Sequence, residues 1–256
     1  MTENSRNFFA MDRALLTIVV LAVIAIAGTF VFVPYFPQDP AYHQFADTRT
    51  IADIPNGWNV LSNLPFLIIG VLSLMTVRRD VASVVFGIGL VMTAYGSALY
   101  HWTPNNETLL CDRAGMVVAL MAVVAMLVDS TDSACVLAFA ELIGIGSLMW
   151  WIGGDGDLRL YGVVQFFPGL LILALRRWRL LPVLVFYAIA KVCEQYDAQI
   201  YEALRHAISG HTLKHFAAAA STFVIWSWMR RRQLIAVESS PPGSGVRSSP
   251  IRETTT

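Results

Sequence analysis

Three of the five histidines stand at positions where an apolar chain could use them chemically. His211 and His215 are four residues apart in SGHTLKHF, a spacing that puts both imidazoles on one helical face, where they can grip one metal ion. His101, in GSALYHW, would bring a third nitrogen from a different helix. Three neutral imidazoles plus one water form the open tetrahedral arrangement of a catalytic zinc. Ser97 lies four residues before His101 and shares its face. Asp112 follows His101 by eleven residues, and Asp197 precedes the histidine pair. Asn59, Ser62 and Asn63 add polar atoms at the start of another apolar segment. His43 and His206 fall in loops, where solvated roles suffice.

Each of these signals has a plainer reading when taken alone. An HxxxH pair on a helix is common without metal. A helix serine such as Ser97 often satisfies its own backbone carbonyl. Asp112 could simply partner the neighbouring Arg113. Their conjunction at one depth, in a chain with few polar residues, favours a metal site, because ionisable groups inside a membrane are costly and face the bundle interior. Glu141 stands mid-span without an evident chemical role, and Lys191 and Glu194 are spaced to neutralise each other.

The elements that must hold these residues are helices in a bilayer. Of 256 residues, 56% are hydrophobic and only 14% charged, far from the composition of an ordinary soluble enzyme. Eighteen basic residues balance eighteen acidic ones, so no net field recruits nucleic acid. The three cysteines have no CxxC spacing, which argues against a disulfide framework or a cysteine-zinc site.

A span needs about 20 mostly apolar residues. Segments 14–35, 58–78, 82–102, 108–128, 133–152, 158–176, 180–203 and 211–230 qualify, which predicts an all-α polytopic membrane protein. Ala25-Ile26-Ala27 would suit a signal-peptide cleavage site, but the apolar run continues to Val33, which favours a retained helix. Residues 1–56 then form an N-terminal transmembrane helix with an outer loop, and 57–232 form the bundle. Residues 233–256, rich in Ser, Pro and Thr, form a disordered tail.

Basic residues set the expected orientation. Arg6, Arg13, Arg78, Arg79, Arg176, Arg177, Arg179 and Arg230 to Arg232 fall on one face, while Arg49, Arg159 and Arg205 fall on the other. Arginine-rich short loops stay cytoplasmic, so both termini should be inside, in an inner-membrane setting. The candidate site then faces the periplasmic or lumenal side. Glycines such as Gly87, Gly89, Gly144 and Gly146 suit close helix packing. Trp102, Trp150, Trp151 and Trp228 suit interfacial belts.

The ordered set S-x3-H (Ser97, His101), Asp112, Asp197 and H-x3-H (His211, His215) resembles the alkaline ceramidase family. That family belongs to a wider group of seven-helix membrane hydrolases that also includes adiponectin-receptor and hemolysin III-like proteins. The segment from Asn59 through Ser62 and Asn63 is similar to the family's first helix, and the likeness runs over about residues 56–230. The resemblance implies a seven-helix hydrolase bundle with one extra N-terminal span. It also implies zinc held by His101, His211 and His215, and hydrolysis of ceramide or a related N-acyl lipid. The acidic calcium-binding segment of those ceramidases has no clear match here. Asn56 stands at the equivalent position, after Asp47 and Asp53, so no calcium site is expected.

The residue chemistry can support such an activity. Zinc lowers the pKa of water bound to it to about 7. Asp112 could accept the water's proton and pass it to the departing amine. Ser97 could donate a hydrogen bond to the developing oxyanion. Asp197 could fix a histidine tautomer through the ring's other nitrogen. Acyl chains could enter laterally between helices. Two other classes fit the same residues: a receptor-like membrane protein with a structural zinc, and a proton-coupled transporter relaying through Asp112, Asp197 and Glu141. The second of these is weakened by the lack of visible internal repeats and of broken helices at the midplane.

Overall fold

Helix boundaries follow local chemistry along the chain. The computed structural model describes residues 13–77, 80–128 and 133–238. Its elements are α1 (Arg13–Phe32), a 3-10 turn (Pro40–His43), α2 (Gly57–Leu61), α3 (Leu64–Thr76), α4 (Val81–Trp102) and α5 (Asn106–Leu127). They continue with α6 (Ser133–Gly153), α7 (Arg159–Ala174), α8 (Leu181–Gln195), α9 (Asp197–Ala203) and α10 (Gly210–Glu238). Asp80 caps α4 by accepting the Ser83 N–H at 2.8 Å, and Asn105 forms a reciprocal capping box with Thr108 at the start of α5. Among the described residues the protein is all-helical, with only isolated β-bridges. Residues 233–238 of the expected disordered tail instead continue helix α10, while 239–256, together with Arg6, Arg78 and Arg79, lie outside the described residues.

Among the described residues four helical stretches are long and apolar enough to cross a membrane: Gly57–Thr76, Val81–Trp102, Asn106–Leu127 and Ala134–Gly153. Leu16–Phe32 and Arg159–Ala174 are shorter apolar helices. The outward surface supports a lipid environment. Phe139 and Leu142 on α6 and Val31 and Phe32 on α1 are between 66% and 83% exposed, an apolar display that water would penalise.

Two segments expected as continuous spans are broken. The stretch 58–78 divides at Ser62–Asn63, where Pro65, at the start of α3, has no N–H to give the preceding turn. The Ser62 hydroxyl and the Asn63 amide both donate to the Asn59 carbonyl, at 3.0 and 2.9 Å, and so fill the gap. The stretch 180–203 divides at Tyr196 into α8 and α9. Gly210 packs into that joint, where a Cβ would lie 2.8 Å from Asp197 Cα, so α10 begins directly against Asp197.

Helix α5 is the axis of the bundle, with Val117, Ala122, Ala125 and Leu127 fully buried. Its contact with α4 depends on small residues. A Cβ on Gly115 would sit 2.6 Å from Thr93 Cα, and one on Gly89 would sit 2.8 Å from Ala119 Cα. Gly144 likewise presses on Val117 and Met121, whereas Gly146 faces open space and plays no part in packing. The two ends of the bundle are chemically distinct. At one, Arg177 and Arg232 donate to the Leu127 and Met126 carbonyls at the C-terminus of α5. At the other, Gln38 N–H donates to the Gly156 carbonyl at 2.8 Å, and Arg49 donates to the Ala207 carbonyl at 2.9 Å.

This second end is fastened by buried acid–arginine pairs. Asp157 joins Arg159 at 2.9 Å and accepts from the Trp150 indole at 3.0 Å. Burial would raise its carboxyl, but the Arg159 and Trp150 hydrogen bonds outweigh that and hold it down at about 2. Asp47 pairs with Arg49 at 2.6 Å and is lowered for the same reason, against its own burial.

Candidate metal centre

The sequence separates the three histidines by more than a hundred residues, and the fold brings them together. His101 comes from the last turn of α4, and His211 and His215 from the first two turns of α10. All three are buried, and their ligand atoms lie within 4.8 Å of one another, so the cluster could hold a metal ion. The Nε2 atoms of His101 and His215 are 3.2 Å apart. Zn–N bonds of about 2.0–2.1 Å place two nitrogens of a tetrahedral site about 3.3 Å apart, so this spacing suits such a pair. His211 Nε2 and His101 Nδ1 are buried with no hydrogen-bond partner. A buried unsatisfied nitrogen is costly, and a cation beside His101 Nε2 and His215 Nε2 would relieve that of His211; His101 Nδ1, on the other side of its ring, would not be reached by the same ion.

The surrounding atoms orient the rings. Ser62 Oγ lies 2.6 Å from His215 Nδ1, and its own hydroxyl donates to the Asn59 carbonyl. With that proton committed, His215 Nδ1–H is the donor to Ser62, which leaves a lone pair on Nε2 toward the cluster. Thr212 donates to Asn59 Oδ1 at 2.8 Å and ties α10 to the α2–α3 break. Phe45 packs its ring edge against His101 and His211, with centroids 4.7 and 4.8 Å away, and covers the cluster from the loop side.

Asp197 acts through the backbone. Its Oδ1 accepts the His211 N–H at 2.6 Å and its Oδ2 accepts the Ala46 N–H at 3.0 Å. The carboxylate therefore sits at the N-terminus of α10, where the helix dipole favours an anion, and sets the height at which His211 enters. The ring-nitrogen contact expected of Asp197 is made instead by Ser62 on His215. Ser97 and Asp112 are both buried and line the same cavity. Arg113 does not pair with Asp112. Its guanidinium lies over the rings of Trp151 and Tyr161, at 4.2 and 4.6 Å, and donates to Gln38. Trp151 is thus 3% exposed and part of the interior, unlike the belt residue expected.

The other singled-out residues fall outside the cluster. His43 contacts the Tyr100 hydroxyl and Asn106, both at 3.1 Å, and His206 pairs with Glu202 at the surface. Glu141 keeps one buried oxygen without a partner on α6. Lys191 does pair with Glu194, but Glu194 also accepts from Lys214 at 2.9 Å and from the Tyr42 hydroxyl at 3.0 Å. From sequence alone Lys214 has no role and Arg113 has only that of a partner to Asp112. Their signal was present nonetheless, since a basic residue within an apolar span is rare without a purpose.

Ser97, Asp112 and His215 open onto a cavity of about 610 Å³. Its far end is apolar, lined by Phe86, Leu120, Phe167, Val183 and Ile225, while Tyr42, Arg113, Lys191, Glu194 and Lys214 line the end near the histidines. The volume falls in the range of small-molecule sites, and the division into a polar and an apolar end suits an amphipathic occupant. No family model, no curated protein and no solved structure matches the chain.

Proposed function

We propose that the chain is a zinc-dependent hydrolase of the membrane that cleaves the amide bond of ceramide or a related N-acyl lipid, as its resemblance to the alkaline ceramidase family implies. The observation that carries this reading is the three-histidine cluster, whose His215 lines one cavity with Ser97 and Asp112, continuous with an apolar chamber. In the reaction the carbonyl–nitrogen bond breaks, the oxygen of water goes to the carbonyl carbon, and the nitrogen takes up a proton. The products are a fatty acid and a free amine.

Zinc held by His101, His211 and His215 would supply Lewis acidity and bring the pKa of water down to about 7. The protein's own residues do the rest. Asp112 takes the proton released by water and returns it to the departing nitrogen. Ser97 holds the lipid carbonyl oxygen and donates to it as negative charge builds. Asp197 and Ser62 keep two imidazoles aligned, and Phe45 excludes bulk water. The arginine distribution supports cytoplasmic termini and a site toward the opposite face, in an inner membrane.

The test begins with purified protein, which should carry about one zinc per chain, as a single three-histidine site requires. It should release fatty acid from a lipid extract in a chelator-sensitive way, followed by mass spectrometry. The Asp112→Ala variant should keep its zinc and lose fatty-acid release. Zinc-loaded protein that yields no hydrolysis product from any lipid would point to a receptor-like structural site and end the enzymatic reading.

A further inference from the structure

The cavity holds a charge arrangement that a neutral lipid would leave unused. Arg113 is 4% exposed, yet it stands at the wall of the cavity. Its plane is clamped between Trp151 and Tyr161, with Tyr42 also beneath it at 5.8 Å, so the guanidinium is held in one place. Gln38 takes Nη2, while Nη1 is buried with no hydrogen-bond partner at all. A rigid, desolvated guanidinium with an unused donor is the usual receptor for a carboxylate or phosphate oxygen.

The charge balance points the same way. Apart from Arg159, which Asp157 neutralises, Arg113, Lys191 and Lys214 line the cavity against only Asp112 and Glu194. Glu194 is shared by both lysines. Even with both carboxylates ionised, one positive charge stands uncompensated, and Arg113, unlike the partly exposed Lys191, holds its charge where water barely screens it. A bound anion would balance it.

We infer that the lipid bound in this cavity carries an acidic group, a carboxylate or phosphate, on the amine side of its amide, and that Arg113 receives it. The occupant's identity as an N-acyl lipid rests on the hydrolase reading above; the anion subsite itself rests on Arg113. The acyl chain extends toward Phe86, Val183 and Ile225, the amide lies at Ser97 and Asp112, and the acidic group docks beneath the 36–42 loop. An N-acyl amino acid is the simplest molecule of this class.

The experiment compares equilibrium binding of radiolabelled N-palmitoylglycine and N-palmitoylethanolamine to the full chain in neutral detergent, with and without chelator. The two probes share chain and amide and differ in the anionic group. The acid should bind at least about tenfold tighter, the worth of one charge-assisted hydrogen bond. Arg113→Gln should remove most of that preference while changing binding of the neutral probe little. Should that variant fold poorly, a photoreactive acid probe on the native chain replaces it, and its crosslinks should map to α5 near residue 113. An N-palmitoyl phosphoethanolamine arm tells phosphate from carboxylate as the preferred anion. Equal binding of acidic and neutral probes, or crosslinks confined to other helices, overturns the inference even if chelator-sensitive hydrolysis of neutral lipid is found. Preferred, Arg113-dependent binding without hydrolysis of any probe upholds it and sinks the hydrolase reading instead.

Discussion

A buried imidazole binds metal well only when its second nitrogen is already committed, and His215 is the residue here whose commitment is visible. The chain from His215 Nδ1 through the Ser62 hydroxyl to the Asn59 carbonyl fixes both tautomer and ring angle. Removing such a partner costs metal affinity without removing a ligand. Ser62→Ala should therefore weaken zinc binding by about tenfold or more, read by chelator competition, while leaving about one zinc per chain at saturation. Loss of all binding would make Ser62 a ligand, and unchanged affinity would remove it from the site. The serine is easy to underrate in the sequence, because its value depends on a histidine 153 positions away.

At the scale of elements, the site depends on α4 and α5 lying close enough for His101 and Asp112 to serve one cavity. Gly115 has no room for a side chain against α4, so Gly115→Val must push the helices apart. Overpacking of this kind costs about 1–3 kcal/mol. A lowered Tm in detergent together with reduced zinc content should follow, whereas Gly146→Ala, which meets open space, should change neither.

The loop joining α6 to α7 should show its own pH signature. The Asp157 carboxyl is held at about 2 against an ordinary 3.8, so its folded form favours the ionised state. Its stabilisation is fully present above the ordinary value and is lost as pH falls toward 2. Thermal unfolding in detergent should show wild type above Asp157→Asn at neutral pH, with the gap closing on acidification from pH 4 to 2. A gap that stays constant would mean the carboxylate is not the source.

For the whole molecule, the proposed orientation in the bilayer rests on two chemically different ends. Arg177 and Arg232 gather at the C-terminus of α5, and the loops carrying Asp47 and Asp157 and the start of α9 at Asp197 gather at the opposite end with the histidines. A cysteine introduced as Glu107→Cys, at an exposed position after α4, should react with a membrane-impermeant reagent from outside intact cells, in a chain whose three native cysteines are replaced by serine. Protection from outside with labelling from within would invert the orientation and put the site on the cytoplasmic face.

Much of this was legible one residue at a time. Apolar runs of bilayer length mark the helices, because backbone polar groups in hydrocarbon must be satisfied within the segment itself. The histidine pair at i and i+4 declares a shared face for the same local reason. What local pattern cannot convey is which faces meet. The break at Tyr196, the turn of Asp197 toward a backbone amide, and the placement of Arg113 over Trp151 and Tyr161 all follow from contacts between segments apart in the chain. Such contacts are set by helix packing around Gly89, Gly115 and Gly210, where missing side chains let backbones approach. Periodicity along one helix carries no information about the helix it will touch. The sequence therefore determined the helices and the ligand candidates, and only the tertiary structure decided that the three imidazoles cluster and that one of them, His215, shares a chamber with Ser97, Asp112 and Arg113.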